Sequence, residues 1–151
     1  MNPNILAQMP LFDDGKSTPP IPPDQQAMIE RLQHGETLAI DLHAESFRRR
    51  LPLLEWAKTH DRFVYIGRGQ RWTTEAETLF PEVKRDSLWC NPFQVGRDGT
   101  LEQVIERYRE YLTSRPDLLK RLPELQGKIL GCWCHPKPCH GDVLIQYLAK
   151  L

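Results

Sequence analysis

Gly127-Lys128-Ile129-Leu130-Gly131-Cys132-Trp133-Cys134-His135-Pro136-Lys137-Pro138-Cys139-His140-Gly141-Asp142-Val143-Leu144 is the stretch on which the reading of this chain turns. Its apolar opening predicts a strand from Lys128 to Trp133. Pro136 and Pro138 cannot donate backbone hydrogen bonds, so a tight loop must follow. Asp142 to Leu151 then predicts a closing helix. Three of the four cysteines and two of the five histidines crowd into the loop and its edges. Reactive side chains at a strand-to-helix turn are where α/β proteins commonly build sites.

Working outward, Thr37 to Asp41 and Arg62 to Ile66 predict two further strands. Asp24 is a plausible N-cap for a helix through Gln33, and Gly35 is a natural stop. A helical segment lies between the first two strands up to about His60, with Pro52 either starting it or kinking it. A short helix is expected near Thr74 to Leu79. Thr100 and Gln103 form a capping-box pair, after which Leu101, Val104, Ile105, Tyr108, Tyr111 and Leu112 recur at helical spacing. Pro116 ends that helix, and a short apolar segment from Leu118 to Leu125 leads into the strand at Lys128. Strands alternating with helices predict an α/β fold, a small domain over residues 24–151 with a partly parallel sheet flanked by helices. Residues 1–23, with six prolines and an Asp-Asp-Gly-Lys-Ser-Thr run, read as a flexible tail.

The chain has 151 residues, 40% hydrophobic and 26% charged, enough to bury a core without disulfides. Lys plus Arg equals Asp plus Glu, so no global field draws it strongly onto DNA or a membrane. No apolar stretch approaches transmembrane length, and no signal-peptide pattern opens the chain. Four cysteines clustered late do not resemble an extracellular staple framework. A cytoplasmic protein is expected.

The cysteine-histidine turn supports three readings. If the strand continues through Cys134, then Cys132 and Cys134 share one face and Trp133 takes the other. Both cysteines can be small core residues. Alternatively, Cys132, Cys134, Cys139 and either His135 or His140 can hold a metal, zinc being possible, although C-x-C is tighter than the usual zinc spacing. In the third reading Cys139, His140 and Asp142 are catalytic, the helix start lowering the thiol's pKa and holding an anionic group. Asp142 is also readable as a plain helix cap.

Gly67-Arg68-Gly69-Gln70-Arg71-Trp72 follows the second strand. A glycine-bounded turn with two arginines at a strand's carboxyl end suits a phosphate or carboxylate, and Arg97 between Gly96 and Gly99 can join them. Trp72 and Trp89 suit either stacking on a base or closing the core. Asn91-Pro92-Phe93 reads as a turn in which Asn91 meets a polar edge or caps the backbone.

Tyr65-Ile66-Gly67-Arg68, Asn91-Pro92-Phe93 with Gly96-Arg97-Asp98-Gly99, the helix bearing Tyr108, and the closing GCWC-x-P-x-x-CHGDVL stretch together resemble a bacterial and phage family, domain-of-unknown-function family 4326. The resemblance runs from about Phe63 to the C-terminus. It implies that Gly67, Arg68, Asn91, Pro92, Phe93, Cys132, Cys134, Pro136, Cys139, His140, Gly141 and Asp142 form one shared constellation, with no established activity attached. This chain departs from the family in carrying Cys90, where glycine is common, and in the long connection Gln70 to Leu88.

In the tail, Gln8-Met9-Pro10-Leu11-Phe12 resembles the bacterial sliding-clamp-binding peptide. Leu11 and Phe12 would bury in an apolar groove while Gln8 hydrogen-bonds at its rim. The expectation is a small enzyme acting on a nucleotide, nucleoside or related phosphorylated ligand, recruited to replicating or repaired DNA by the tail. Gly67, Arg68, Arg71, Trp89, Asn91 and Arg97 would bind the ligand. Cleavage or transfer of a glycosidic bond is the reaction class suggested by Asp142 with His140. The alternative is a non-catalytic adaptor with a structural or zinc-bound turn.

Overall fold

Three short strands, β1 (Leu38–Asp41), β2 (Phe63–Tyr65) and β3 (Ile129–Cys132), form one sheet in the order β1-β3-β2. The structure, a computed structural model, describes residues 20–134 and 137–151. Gln8, Leu11, Phe12 and His135 lie outside the described residues. Both strand pairings are parallel, with Leu38 and Phe63 each opposite Ile129. Among the described residues all the strand pairings are parallel, and both crossovers carry helices, as parallel strands require. Each strand is one or two residues shorter than the sequence pattern suggests, because pairing stops where the neighbouring strand stops.

The first crossover holds α2 (Ala44–Arg49) and α3 (Leu51–Thr59), following α1 (Pro23–Gln33). The single helix expected there is divided at Arg50, and Pro52 sits in the first turn of α3, where its missing N–H costs nothing. Asp24 does not cap α1. Pro22 and Pro23 start the helix, since a φ fixed near −65° suits the first turn, and Asp24 lies inside that turn. Gln25, buried in α1, donates to the Arg49 carbonyl at 2.7 Å and accepts from the Leu53 N–H at 3.1 Å, tying α1 to the α2–α3 break.

The second crossover holds α4 (Thr74–Leu79), a 3-10 turn at Pro81–Lys84, α5 (Leu101–Thr113), α6 (Pro116–Arg121) and a second 3-10 turn at Leu122–Leu125. The Thr100–Gln103 capping box at the start of α5 is formed as expected, and Pro116 opens α6 rather than merely ending α5. The closing helix, α7, runs His140–Leu148 and begins two residues earlier than predicted. No helix among the described residues is long and apolar enough to cross a membrane.

The sheet separates two cores. Ile129, Leu38, Ile40 and Tyr65 face α1, α2 and α3, together with Phe80 and Val83. Leu130, Cys132 and Ile66 face α5, α6 and α7. Trp133 packs on the first side and Cys132 and Cys134 on the second, so the alternation of sides carries past the last strand residue, Cys132. Gly131 is what lets β3 lie flat under the first core. A Cβ there would meet the Phe63 ring at 2.6 Å and Leu42 at 3.0 Å. The Phe63 ring in turn stacks on Phe80 at 4.0 Å. Gly131→Ala should therefore destabilise the fold by about 1–3 kcal/mol despite alanine's better strand behaviour. Urea denaturation reads this directly, and Phe63→Leu in the same chain should recover part of the loss.

Candidate functional site

The carboxyl ends of β2 and β3 open on a cleft of about 380 Å³. Gly67, Arg68, Asn91 and Phe93 line one side, Val104 and Ile105 of α5 another, and Trp133, Cys134, Pro138 and His140 the third. Ligand sites in parallel α/β sheets lie outside the carboxyl ends of the strands, and this cleft is in that position. A larger groove of about 670 Å³ runs along the outer edge of β2 beside Phe63 and Phe80, lined by residues from Ala57 to Ser87 among those described.

Arg68 is half-buried, and its guanidinium holds the loop that forms the cleft's rim. Its Nη2 donates to the Asn91 carbonyl at 2.7 Å and to the Phe93 carbonyl at 3.0 Å, and its Nε also reaches Asn91. Asn91 is likewise engaged within the protein. Its amide donates to the Val104 carbonyl at 3.2 Å, and its Oδ1 accepts from the Phe93 N–H at 3.0 Å. Both residues line the cleft as expected, but the described contacts of each shape the wall. Tyr65 braces the other side: Trp133 Nε1 donates to its hydroxyl at 2.6 Å, and that hydroxyl donates to the Arg68 carbonyl. Burial pushes the Tyr65 hydroxyl up to about 12, so it stays a neutral donor.

Three residues expected to bind ligand are placed elsewhere. The Arg71 side chain is 91% exposed, with Glu77 as its ion-pair partner at 3.6 Å. Arg97 is turned onto Asp98 at 2.8 Å and the Pro92 carbonyl at 3.0 Å, and so locks the Gly96–Gly99 turn from outside. Trp89 is core: its ring is buried with Tyr108 and Ile66, and its carbonyl accepts from the Tyr108 hydroxyl at 2.8 Å. Trp72 also packs against a core, edge-on to Phe47 and Trp133.

The cysteine turn brings three sulfurs together. Cys139 Sγ lies 2.9 Å from Cys134 Sγ and 3.2 Å from Cys132 Sγ, and all three lie within 4.8 Å of one another. Cys132 and Cys139 are fully buried and Cys134 half-buried. Cys139, not Asp142, is the N-cap of α7. Its sulfur accepts from the Gly141 N–H at 3.3 Å, while Asp142 reaches back to accept from the Cys139 N–H at 3.1 Å. Asp142 thus takes part in the cap from the N3 position.

The expected lowering of the Cys139 pKa is reversed. Its hydrogen bonding with the Cys132 and Cys134 thiols, then burial, pushes it upward, outweighing the helix start. Cys134 is held up at about 12, first by its hydrogen bond with Cys132. As a metal-free thiol Cys139 is therefore a poor nucleophile. His140 is buried too, and its Nε2 lies 2.6 Å from the Ile66 carbonyl. A carbonyl only accepts, so Nε2 carries the proton and Nδ1 is left facing Cys139 Sγ at 3.7 Å. Burial lowers the His140 pKa and keeps the ring neutral. His140 does not join the three-sulfur group, so the metal set expected from Cys132, Cys134, Cys139 and His140 is reduced to three thiols among the described residues.

Cleft residues that the sequence does not point to as ligand-binding or catalytic include Gln70, Val104, Ile105, Trp133 and Pro138. Val104 and Ile105 were legible only as part of the apolar stripe of α5. That stripe is wider than the core it covers, and its margin faces the cleft.

A family model described as a domain of unknown function, DUF4326, matches residues 54–150, more than half of the chain. The chain belongs to that family. An uncharacterized protein of Acanthamoeba polyphaga mimivirus is 44% identical over 69 residues, covering 40% of this chain and 52% of that protein. An uncharacterized 12.4 kDa protein in the nrdA-td intergenic region of Enterobacteria phage T4 is 36% identical over 74 residues, covering 46% of this chain and 67% of that protein. The chain thus spans about half the length of the mimivirus relative. No solved structure matches.

If Arg68 acts chiefly on the loop, Arg68→Lys should lower stability by about 1–3 kcal/mol, because an ammonium cannot span the two carbonyls. A urea titration without any ligand measures this. Unchanged stability would return Arg68 to a purely ligand-facing role.

Proposed function

We propose that this DUF4326 protein is a small enzyme acting on a nucleotide, nucleoside or related phosphorylated ligand held in the cleft. The observation that carries the reading is the cleft's position and composition. It lies beyond the carboxyl ends of two parallel strands and is walled by Phe93, Trp133, Val104 and Ile105, with the Arg68 guanidinium at its rim. Apolar walls with a few fixed polar groups suit a base or ring, and a neighbouring guanidinium favours an anionic substituent.

Among the catalytic residues expected from the sequence, His140 lines the cleft. Cys139 and Asp142 serve this reading as positioning residues: their reciprocal cap starts α7 at His140 and so aims the imidazole. The tail peptide Gln8 to Phe12 would bring the domain to a bacterial sliding clamp, supplying a link to DNA that a neutral chain lacks. A second reading, a non-catalytic module whose turn is held by zinc, is favoured by the three converging thiols.

Isothermal titration with nucleoside mono-, di- and triphosphates tests the first reading. At least one should bind in the micromolar range, and Phe93→Ala should weaken it about tenfold or more, the scale of one lost stacking contact. Absence of binding at millimolar concentration across the series would remove the nucleotide reading.

A further inference from the structure

We propose that Cys132, Cys134 and Cys139 bind one thiophilic divalent ion of the zinc type, and that the ion's remaining coordination position opens on the cleft. The second clause rests on the cleft being a ligand site; the first does not. Zinc–sulfur bonds of about 2.3 Å in tetrahedral geometry place sulfurs about 3.8 Å apart. The separations here, from 2.9 Å to no more than 4.8 Å, bracket that value, so small thiol rotations admit an ion. The donor set is all sulfur, which selects zinc-like ions over magnesium or calcium.

The C-x-C spacing, shorter than the usual zinc knuckle, has a local cause. Cys132 is the last residue of β3 and Cys134 lies just past it, with both side chains packed on the side of α5, α6 and α7, so the pair converges with no knuckle between them. The third ligand comes from the helix cap, where the Gly141 N–H on Cys139 Sγ supports a thiolate once the ion displaces the protons. Plain packing does not account for the convergence: apolar burial asks only that sulfurs be covered, not that they meet. A disulfide would use two sulfurs and strand the third, and Cys139 lies nearly as close to one partner as to the other. Among the described residues the cleft is the route to the ion, since Cys132 and Cys139 are sealed in the core while Cys134 lines the cleft wall.

The test uses the full chain purified without chelator, then stripped and reloaded with zinc or cobalt(II) under reducing conditions. Native mass spectrometry should show one zinc per chain. The cobalt form should show thiolate-to-metal absorption and the intense visible bands of a tetrahedral ion. Cys134→Ser should weaken zinc binding more than about tenfold, since even residues behind the ligands cost ten- to a hundredfold. Cys90→Ser, outside the cluster, should leave it unchanged. Added imidazole should shift the visible bands of the cobalt protein if the fourth position faces the cleft. Bands that respond to His135→Ala but not to imidazole would overturn that clause. A chain that takes up no metal, or whose intact mass has lost two hydrogens to a disulfide, would overturn the site itself. Phe93→Ala separates the two readings: it should leave zinc stoichiometry intact while weakening the nucleotide.

Discussion

Everything at this site depends on β3 having no exposed edge and no exposed face. It is paired on both sides, and all four of its residues are buried between two helical layers. A strand so confined cannot slip by one residue without turning Ile129 and Leu130 into the wrong cores. Its register therefore fixes where Cys132 ends the strand and which way Cys134 points. The opposite partner is fixed with equal force, because α7 contacts both β1 and α5 and must begin where Cys139 caps it. Two of the three sulfurs, Cys132 at the end of β3 and Cys139 at the cap of α7, are thus placed by rigid elements.

The cleft's other wall is built on a different principle. The segment from Asn91 to Phe93 has no sheet to join, so its carbonyls need donors. Arg68 supplies them, and Asn91 adds a link to α5 through the Val104 carbonyl. One guanidinium thus stands in for a missing strand. This accounts for an arginine directly after β2 without a bound anion, while leaving its charge at the rim, where a phosphate would gain from it.

Much of the fold was legible because its signals are local. The capping box at Thr100 and Gln103, the alternation through Cys132, Trp133 and Cys134, and the short helix at Thr74 each rest on neighbouring residues. Less was legible where distant groups decide. Trp89 is buried in one core with Tyr108, whose hydroxyl bonds its carbonyl, and Arg71 stands in solvent with Glu77 as its ion-pair partner. The Cys139 thiol illustrates this most clearly. Its place at a helix start argued for a lowered pKa, and the two other thiols, one five and one seven residues away, reverse the sign.

That reversal also bears on what the turn is for. Three thiols within reach of one another are a poor arrangement for a nucleophile, since each ionisation makes the next harder. The same proximity is what a cation requires, because one ion can stabilise all three thiolates at once. A turn selected to expose one reactive sulfur would separate Cys139 from its neighbours and open it to solvent. Here it is buried, given a backbone donor and placed against both partners, while His140 alone of the expected catalytic trio lines the cleft. The arrangement is one of mutual contact among sulfurs, and the imidazole beside them has its Nε2 on the Ile66 carbonyl and its Nδ1 towards Cys139.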